Sequence, residues 1–363
     1  EIAQCLVGSE MCIRDRIRFT ADAKSQMENQ GFKRLLIPRF TSFRSITSDR
    51  KTYVQITQEL SEDKVRNEFV MEDVKAAIQK GRTPLLLTTR TAHVKVLAQM
   101  LMPFADHVIQ LIGADSAKEK RLALQNLQSI PTSESLVIVA TGKYVGEGFD
   151  YPRLDTLFLT MPIAWKGNVE QYAGRLHREC EGKSEVCIYD YVDIRVPLCD
   201  SMYRKRLKGY IKAGYGKDVI SPAPDKNSQE LIYEQNNYEA AFRNDLAKAK
   251  HSVVIAVPKV KFKYKPSIMS ALANLLHDGV SVVVHIKEEG ANETELSNAG
   301  MDVVCNKEQT LQCAIIDKSI VWYGNINFFG YNSETNNVMR IADHKIADEM
   351  MEILYSCHEN KGK

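Results

Sequence analysis

The chain has 363 residues, is 44% hydrophobic and 26% charged, and is long enough for two or three domains with sizeable cores. Its formal net charge of +2 excludes a chain-wide nucleic-acid footprint, so any such contact has to come from local patches. Eight cysteines at positions 5, 12, 180, 187, 199, 305, 313 and 357 form no CxxC pair, and no apolar run reaches the roughly 20 residues that span a bilayer, which argues against a zinc site, a disulfide framework and a membrane partner.

Residues 1–16 fit no element pattern and look like a translated sequencing-adaptor read-through, so native sequence is expected from about Ile17. From there to about residue 57 the chain reads as a connector. Within it, 35–38 is a short apolar run and 39–44 alternates basic, aromatic and hydroxyl residues. Ser61, Glu62 and Asp63 offer an N-cap and acidic first turn for a helix running to about Lys80, with Gly81 as its stop. Apolar strands are then predicted at 85–87, 108–112, 136–140, 157–159 and 186–190. Helices are predicted between them at about 92–101, 116–127 and 168–178. This alternation predicts an α/β fold with a mainly parallel sheet covered on both faces. Ligand-handling residues in such sheets lie beyond the carboxyl ends of strands, so the polar stretches 88–91, 141–150 and 171–178 are expected to share one edge.

The chemistry of those stretches is specific. Gln171, Arg175 and Arg178 fall at i, i+4 and i+7, so a helix lines them along one face. Gly174 on the same side admits a close neighbour. Two arginines one turn apart form a fork-shaped array of donors suited to phosphate oxygens; a solvated basic helix face is the plainer alternative. In 141–150, Gly142, Gly146 and Gly148 permit close approach of a ligand or another chain. Thr141 offers a hydroxyl and an N–H beyond a strand, and Asp150 can accept from ribose hydroxyls or orient an arginine. No helix opens directly after Gly148, so the stretch is not a dinucleotide fingerprint.

Together these stretches resemble the second RecA-like domain of superfamily 2 helicases. Thr88-Thr-Arg90 is similar to motif IV, residues 141–150 to motif V, and Gln171-Tyr-Ala-Gly-Arg-Leu-His-Arg178 to the Q-x-x-G-R-x-x-R of motif VI. The wider run 82–215 resembles bacterial DEAD/DEAH-box helicases. The resemblance implies a RecA-like (P-loop NTPase-type) parallel sheet and ATP with Mg²⁺ held between two such domains. Arg175 and Arg178 would be the catalytic arginines at the γ-phosphate, with Gln171 coupling the nucleotide to its neighbours. Gly148, Asp150 and Gly174 would lie on the nucleotide side. Thr88, Arg90, Thr141 and Gly142 would hold the backbone of one nucleic-acid strand, DNA being the expected partner. Such contacts position without reading sequence. The 363 residues contain no G-x-x-x-x-G-K-[ST] and no D-E-x-H box. The expectation is therefore a C-terminal portion whose first RecA-like domain lies elsewhere, and which does not hydrolyse ATP alone.

After Asp193 the chain turns basic, with Arg204, Arg206, Lys208 and Lys212 around Tyr203 and Tyr210. This is either a nucleic-acid contact or a solvated helix face. Residues 214–227 read as a linker. A second α/β domain follows from about residue 228, with a helix at 238–250, a strand at 253–257, lysines at alternate positions from 259 to 265, a helix at 267–277, a strand at 280–286 and a hairpin over 314–327. That hairpin resembles the H-x-K-x4-D-x6-G-[ST]-x-N half-site of phospholipase-D-like nucleases. Asp317, Gly324 and Asn327 stand at the matching spacings, and Asn325 replaces the Ser/Thr. Thr310 and Gln312 occupy the histidine and lysine positions, so the covalent phosphohistidine route has no nucleophile. The resemblance implies a smaller, degenerate phospholipase-D-like domain. The whole reads as part of an ATP-dependent helicase or translocase; the alternative is a nucleic-acid-binding module with a decayed motor. Scattered cysteines suggest a reducing cytoplasm.

Overall fold

The computed structural model describes residues 33–45, 52–113, 117–146, 149–163, 169–215, 232–260, 265–287, 291–307, 311–333 and 336–356. Its first sheet is built from β1 (Lys33–Phe40), β2 (Pro84–Thr88), β3 (His107–Leu111), β4 (Leu136–Thr141), β5 (Thr156–Leu159) and β6 (Glu185–Val192). Their order is β1-β6-β5-β2-β4-β3, and every pair is parallel. Strands β2, β4 and β5 are buried along their whole length, as continuous apolar runs sandwiched between helix layers must be. The helices are α1 (Tyr53–Glu62), α2 (Lys64–Gln79), α3 (Thr91–Leu101), α4 (Ala117–Ser129), α5 (Gly142–Gly146), α6 (Glu170–Leu176) and α7 (Pro197–Lys212). The fold class is the expected one, an all-parallel α/β sheet of RecA-like type followed by a second α/β unit.

Three elements differ from the sequence expectation. The supposed connector contributes β1, paired residue for residue with β6 from Lys33–Glu185 to Phe40–Val192. Pro38 is tolerated because β1 is an edge strand, where a missing N–H disrupts no second ladder. The helix expected to open at Ser61 is two helices. Thr52 and Gln55 form a capping box that starts α1 earlier, and Asp63, accepting from the Arg66 N–H at 2.7 Å, caps α2. The supposed cationic surface after Asp193 is α7, and Tyr203, Arg206 and Tyr210 are buried in it. Arg206 reads as surface in the sequence because its partner lies in another element. Arg206 pairs with Asp190 through two bonds of 2.8 and 2.7 Å, and Tyr210 donates to the same carboxylate. Arg66 pairs with Asp193 in the same way.

The second sheet has seven strands, in the order β10-β9-β8-β11-β12-β13-β7. They are β7 (Ile232–Glu234), β8 (Ser252–Ala256), β9 (Ser281–Ile286), β10 (Asp302–Cys305), β11 (Cys313–Ile316), β12 (Ile320–Gly324) and β13 (Asn337–Ala342). Strands β8 to β10 run parallel and the others pair antiparallel. The helices α8 (Tyr238–Leu246), α9 (Pro266–His277), α10 (Ala291–Asn298) and α11 (His344–Ser356) complete it. One apolar cluster contains residues from both sheets. At its centre Phe40 meets Tyr203 and Tyr323 edge-on, while those two tyrosines stack at 5.9 Å. The Tyr203 hydroxyl reaches the Met339 sulfur at 3.4 Å, and the Tyr323 hydroxyl bonds Asp200. No described helix is long and apolar enough to cross a membrane.

Candidate nucleotide and nucleic-acid site

The three polar stretches meet at the carboxyl edge of the first sheet. Thr88 and Thr141, the last residues of β2 and β4, are paired across the parallel ladder. Both are buried. Asn67 donates its amide to the Ser61 carbonyl at 3.0 Å, which turns its Oδ1 toward His93 Nε2 at 3.0 Å. The ring then carries its proton on Nε2, and Nδ1 accepts from the Thr88 hydroxyl at 2.9 Å. Burial, together with the nearby Arg66 and Arg90, pushes the His93 pKa down to about 3, so the ring is neutral. The Thr141 hydroxyl accepts from the Gly113 N–H at 2.9 Å. Thr88 and Thr141 therefore shape the edge from inside. Arg90 is half-buried beside it and donates to the Val54 carbonyl at 3.4 Å.

The stretches 141–150 and 171–178 are tied together twice. The hydroxyl of Tyr172, on α6, donates to the Gly142 carbonyl at 2.9 Å. A Cβ at Gly142 would collide with that hydroxyl, so the glycine sets how closely α6 approaches. Arg178 Nε lies 3.3 Å from Asp150 Oδ1, with both side chains about half exposed. Asp150 thus orients an arginine, one of the two roles its position suggested. Gln171 is exposed, and Gly174 opens onto free space with nothing within 4 Å of a built Cβ. Arg175 is half-buried, and its Nε is buried with no acceptor among the described residues. Gly148 lies outside the described residues.

Several residues that support this edge carried no sequence signal. Lys183 donates to the carbonyls of Pro152, Leu176 and Arg178 at 2.6, 3.1 and 2.7 Å, closing the end of α6 with a positive charge where the helix dipole favours one. Arg66, Arg206 and Tyr53 donate to the carbonyls of Thr160, Ile163 and Pro162. They fix the segment that follows β5 on the way to α6. Contacts spanning 43 to 109 positions reveal the last three roles, and neither periodicity nor spacing encodes them.

In the second sheet, Asp317 accepts from the N–H groups of Lys250, His251 and Ser252 at 2.8, 2.8 and 2.9 Å. Its carboxyl is held below the usual range despite some desolvation, the backbone N–H donors outweighing it. Asp317 therefore ties the β11–β12 turn to the start of β8. Gly324 lies so close to the Asn337 and Val338 backbone that a Cβ has no room. Asn327 pins its own loop, accepting from the Phe329 N–H at 3.0 Å and donating to the Lys259 carbonyl at 2.8 Å. The Gln312 side-chain oxygen is buried without a donor among the described residues; Thr310 lies outside them. Of the alternating lysines, Lys265 is buried against Glu239 at 2.9 Å, and 261–264 lie outside the described residues.

No protein-family model matches the chain. It is similar to the transcript termination protein A18 of myxoma virus (strain Lausanne), 27% identical over 155 residues that cover 41% of this chain and 31% of that protein. The chain spans about a third of the length of the curated relatives it matches. Among solved structures, T4 UvsW is similar over 53% of this chain and 42% of its own, with 17% identity and a TM-score of 0.42. Nuc of Salmonella typhimurium, a phospholipase D family member, is similar over 36% of this chain and 93% of its own, with 22% identity and a TM-score of 0.31.

Proposed function

We propose that the chain is the C-terminal portion of an ATP-dependent nucleic-acid helicase or translocase, in which α6 and the turn after it supply arginines to a nucleotide held by a first RecA-like domain. One observation carries the reading. Arg175 Nε is a buried donor without an acceptor among the described residues, on α6 three positions before Arg178, and a buried donor left unpaired costs about 1–3 kcal/mol that an acceptor brought by a ligand recovers. A γ-phosphate fits that requirement. ATP with Mg²⁺ supplies the transferable phosphoryl group. Among the described residues no cluster of His, Cys, Asp or Glu could hold the metal, so in this reading its ligands come from the first domain.

The chain's own residues have distinct tasks. Arg175 and Arg178 neutralise charge developing on the phosphoryl oxygens, worth on the order of 10³–10⁵ in rate. Asp150 holds Arg178 in place until the site is assembled. Arg90 and the backbone around Gly142 face the strand, and Tyr172 joins that backbone to the arginine helix. The name of the A18 relative, a transcript termination protein, agrees with a nucleic-acid partner, DNA in the first instance.

The test is ATP hydrolysis by the product of the complete reading frame. Arg175→Ala and Arg178→Ala are each expected to lower turnover by roughly 10³-fold or more while nucleic-acid affinity stays within a factor of a few. Wild-type turnover in both variants contradicts the assignment. Strand binding with no turnover in the wild type makes the protein a binding module instead.

A further inference from the structure

Arg178 stands in the turn beyond α6, which ends at Leu176, so the helix alone does not fix its backbone. Two other contacts hold it. Asp150 meets its side chain, Oδ1 to Nε at 3.3 Å. Lys183 Nζ donates to its carbonyl at 2.7 Å, and also to the carbonyls of Leu176 at 3.1 Å and Pro152 at 2.6 Å. An ammonium has three N–H donors, and here each meets a backbone carbonyl.

These carbonyls belong to two chain segments. Leu176 and Arg178 close the arginine helix, and Pro152 lies two positions after Asp150. One side chain therefore joins the backbones that carry both members of the Arg178–Asp150 pair. The chain is shaped to bring it there. The Lys183 N–H donates to the Cys180 carbonyl at 3.1 Å, and Gly182 at φ +82° makes the tight return between them, a conformation that glycine adopts without steric strain. A surface lysine ordinarily extends its charge into water. Lys183 is half-buried instead, and desolvation holds its pKa below the usual lysine value against the opposing pull of Cys180 and Asp155. Capping α6 requires only the carbonyls at its own end. The bond to Pro152 adds nothing to that cap; it sets the distance between two segments.

We propose that Lys183 is a positioning residue for Arg178: it holds the backbone of that arginine at a set distance from Asp150, so that the guanidinium stands where an incoming phosphoryl oxygen needs it. The proposal rests on the motor reading of Arg178. Lys183 then acts through Arg178 and has no effect of its own on turnover once that guanidinium is gone.

The test is a double-variant cycle on ATP turnover by the product of the complete reading frame, joined to hydrogen–deuterium exchange of the 363-residue chain without nucleotide. Misplacing a catalytic group by about 1 Å costs roughly 10²-fold in rate, so Lys183→Met is expected to lower kcat by about that factor, with KM for ATP within a factor of a few. Arg178→Ala combined with Lys183→Met is expected to be no slower than Arg178→Ala alone. A residue that merely stabilises the fold would multiply the two losses. Without nucleotide, exchange of the amides of residues 176–183 is expected to quicken in Lys183→Met while the thermal transition of the chain is retained. Lys183→Arg guards against a variant that fails to fold. Its charge persists, but donors in one plane fit three convergent carbonyls poorly, so it is expected to fold and to be intermediate in kcat. Normal kcat in Lys183→Met and Lys183→Arg, multiplied losses in the double variant, or unchanged exchange overturns the proposal. Wild-type turnover in Arg178→Ala overturns the motor reading as well. A large loss in Arg178→Ala beside normal turnover in Lys183→Met overturns the role of Lys183 alone.

Discussion

Thr88 and His93 show how far single residues could be read. The threonine's place at the end of a strand was legible, because an apolar run stops there. Its inward hydroxyl was not, because His93 and Asn67 converge on it from two helices. The same burial makes the histidine an acid-sensitive point. His93 has its pKa pushed down to about 3 by desolvation, and His177, buried against Tyr215, is pushed to about 4. Both folded values lie below the unfolded 6.5, so unfolding takes up protons below that pH. The stability these groups contribute is present above about pH 6.5 and is lost as pH falls through the folded values. With two such groups the slope approaches about 2.7 kcal/mol per pH unit between pH 6 and 4. Urea midpoints measured across that range should show it, and His93→Gln should remove about half.

At the level of elements, α6 was legible because Gln171, Gly174 and Arg175 form a polar pattern that a helix places on one face, but the helix expected to reach residue 178 ends at Leu176, so Arg178 lies in the turn beyond it. The supports of α6 were hidden. Arg206 sat in a run of cations that reads as surface, and only the fold turns it inward to Asp190, which lies in β6. Buried arginine–carboxylate pairs with satisfied donors are costly to break from one side. Arg206→Ala leaves Asp190 as an uncompensated buried charge and is expected to destabilise the protein by about 3–5 kcal/mol. Replacing both partners with apolar residues of similar volume should recover much of that loss, as calorimetry or urea unfolding can show. β1 was missed for a related reason. Its basic residues and Pro38 read as a connector, whereas Arg39 is engaged by Asp73 at 2.8 Å and Leu35, Leu36 and Phe40 fill the core.

For the whole molecule, the alternation of strands and helices made the α/β class plain. A boundary between two domains was also expected, at 214–227, and most of that stretch lies outside the described residues. The shared core around Phe40, Tyr203, Tyr323 and Met339 leads us to expect that the two sheets unfold together. Sequence periodicity marks which residues are buried but not against which sheet, so this coupling could not be read in advance. Urea transitions of a Trp165→Phe variant followed by Trp322 fluorescence, which then reports the second sheet, and by far-UV circular dichroism should coincide; two separated transitions would contradict a common core. The central claim concerns work done on a strand. It is tested most directly by steady-state ATP turnover of the complete reading frame's product, with and without single-stranded DNA. The motor account expects turnover that the strand stimulates severalfold, and that Tyr172→Phe makes independent of the strand by cutting the link between Gly142 and α6. Turnover that ignores the strand in the wild type, or no turnover at all, would contradict it.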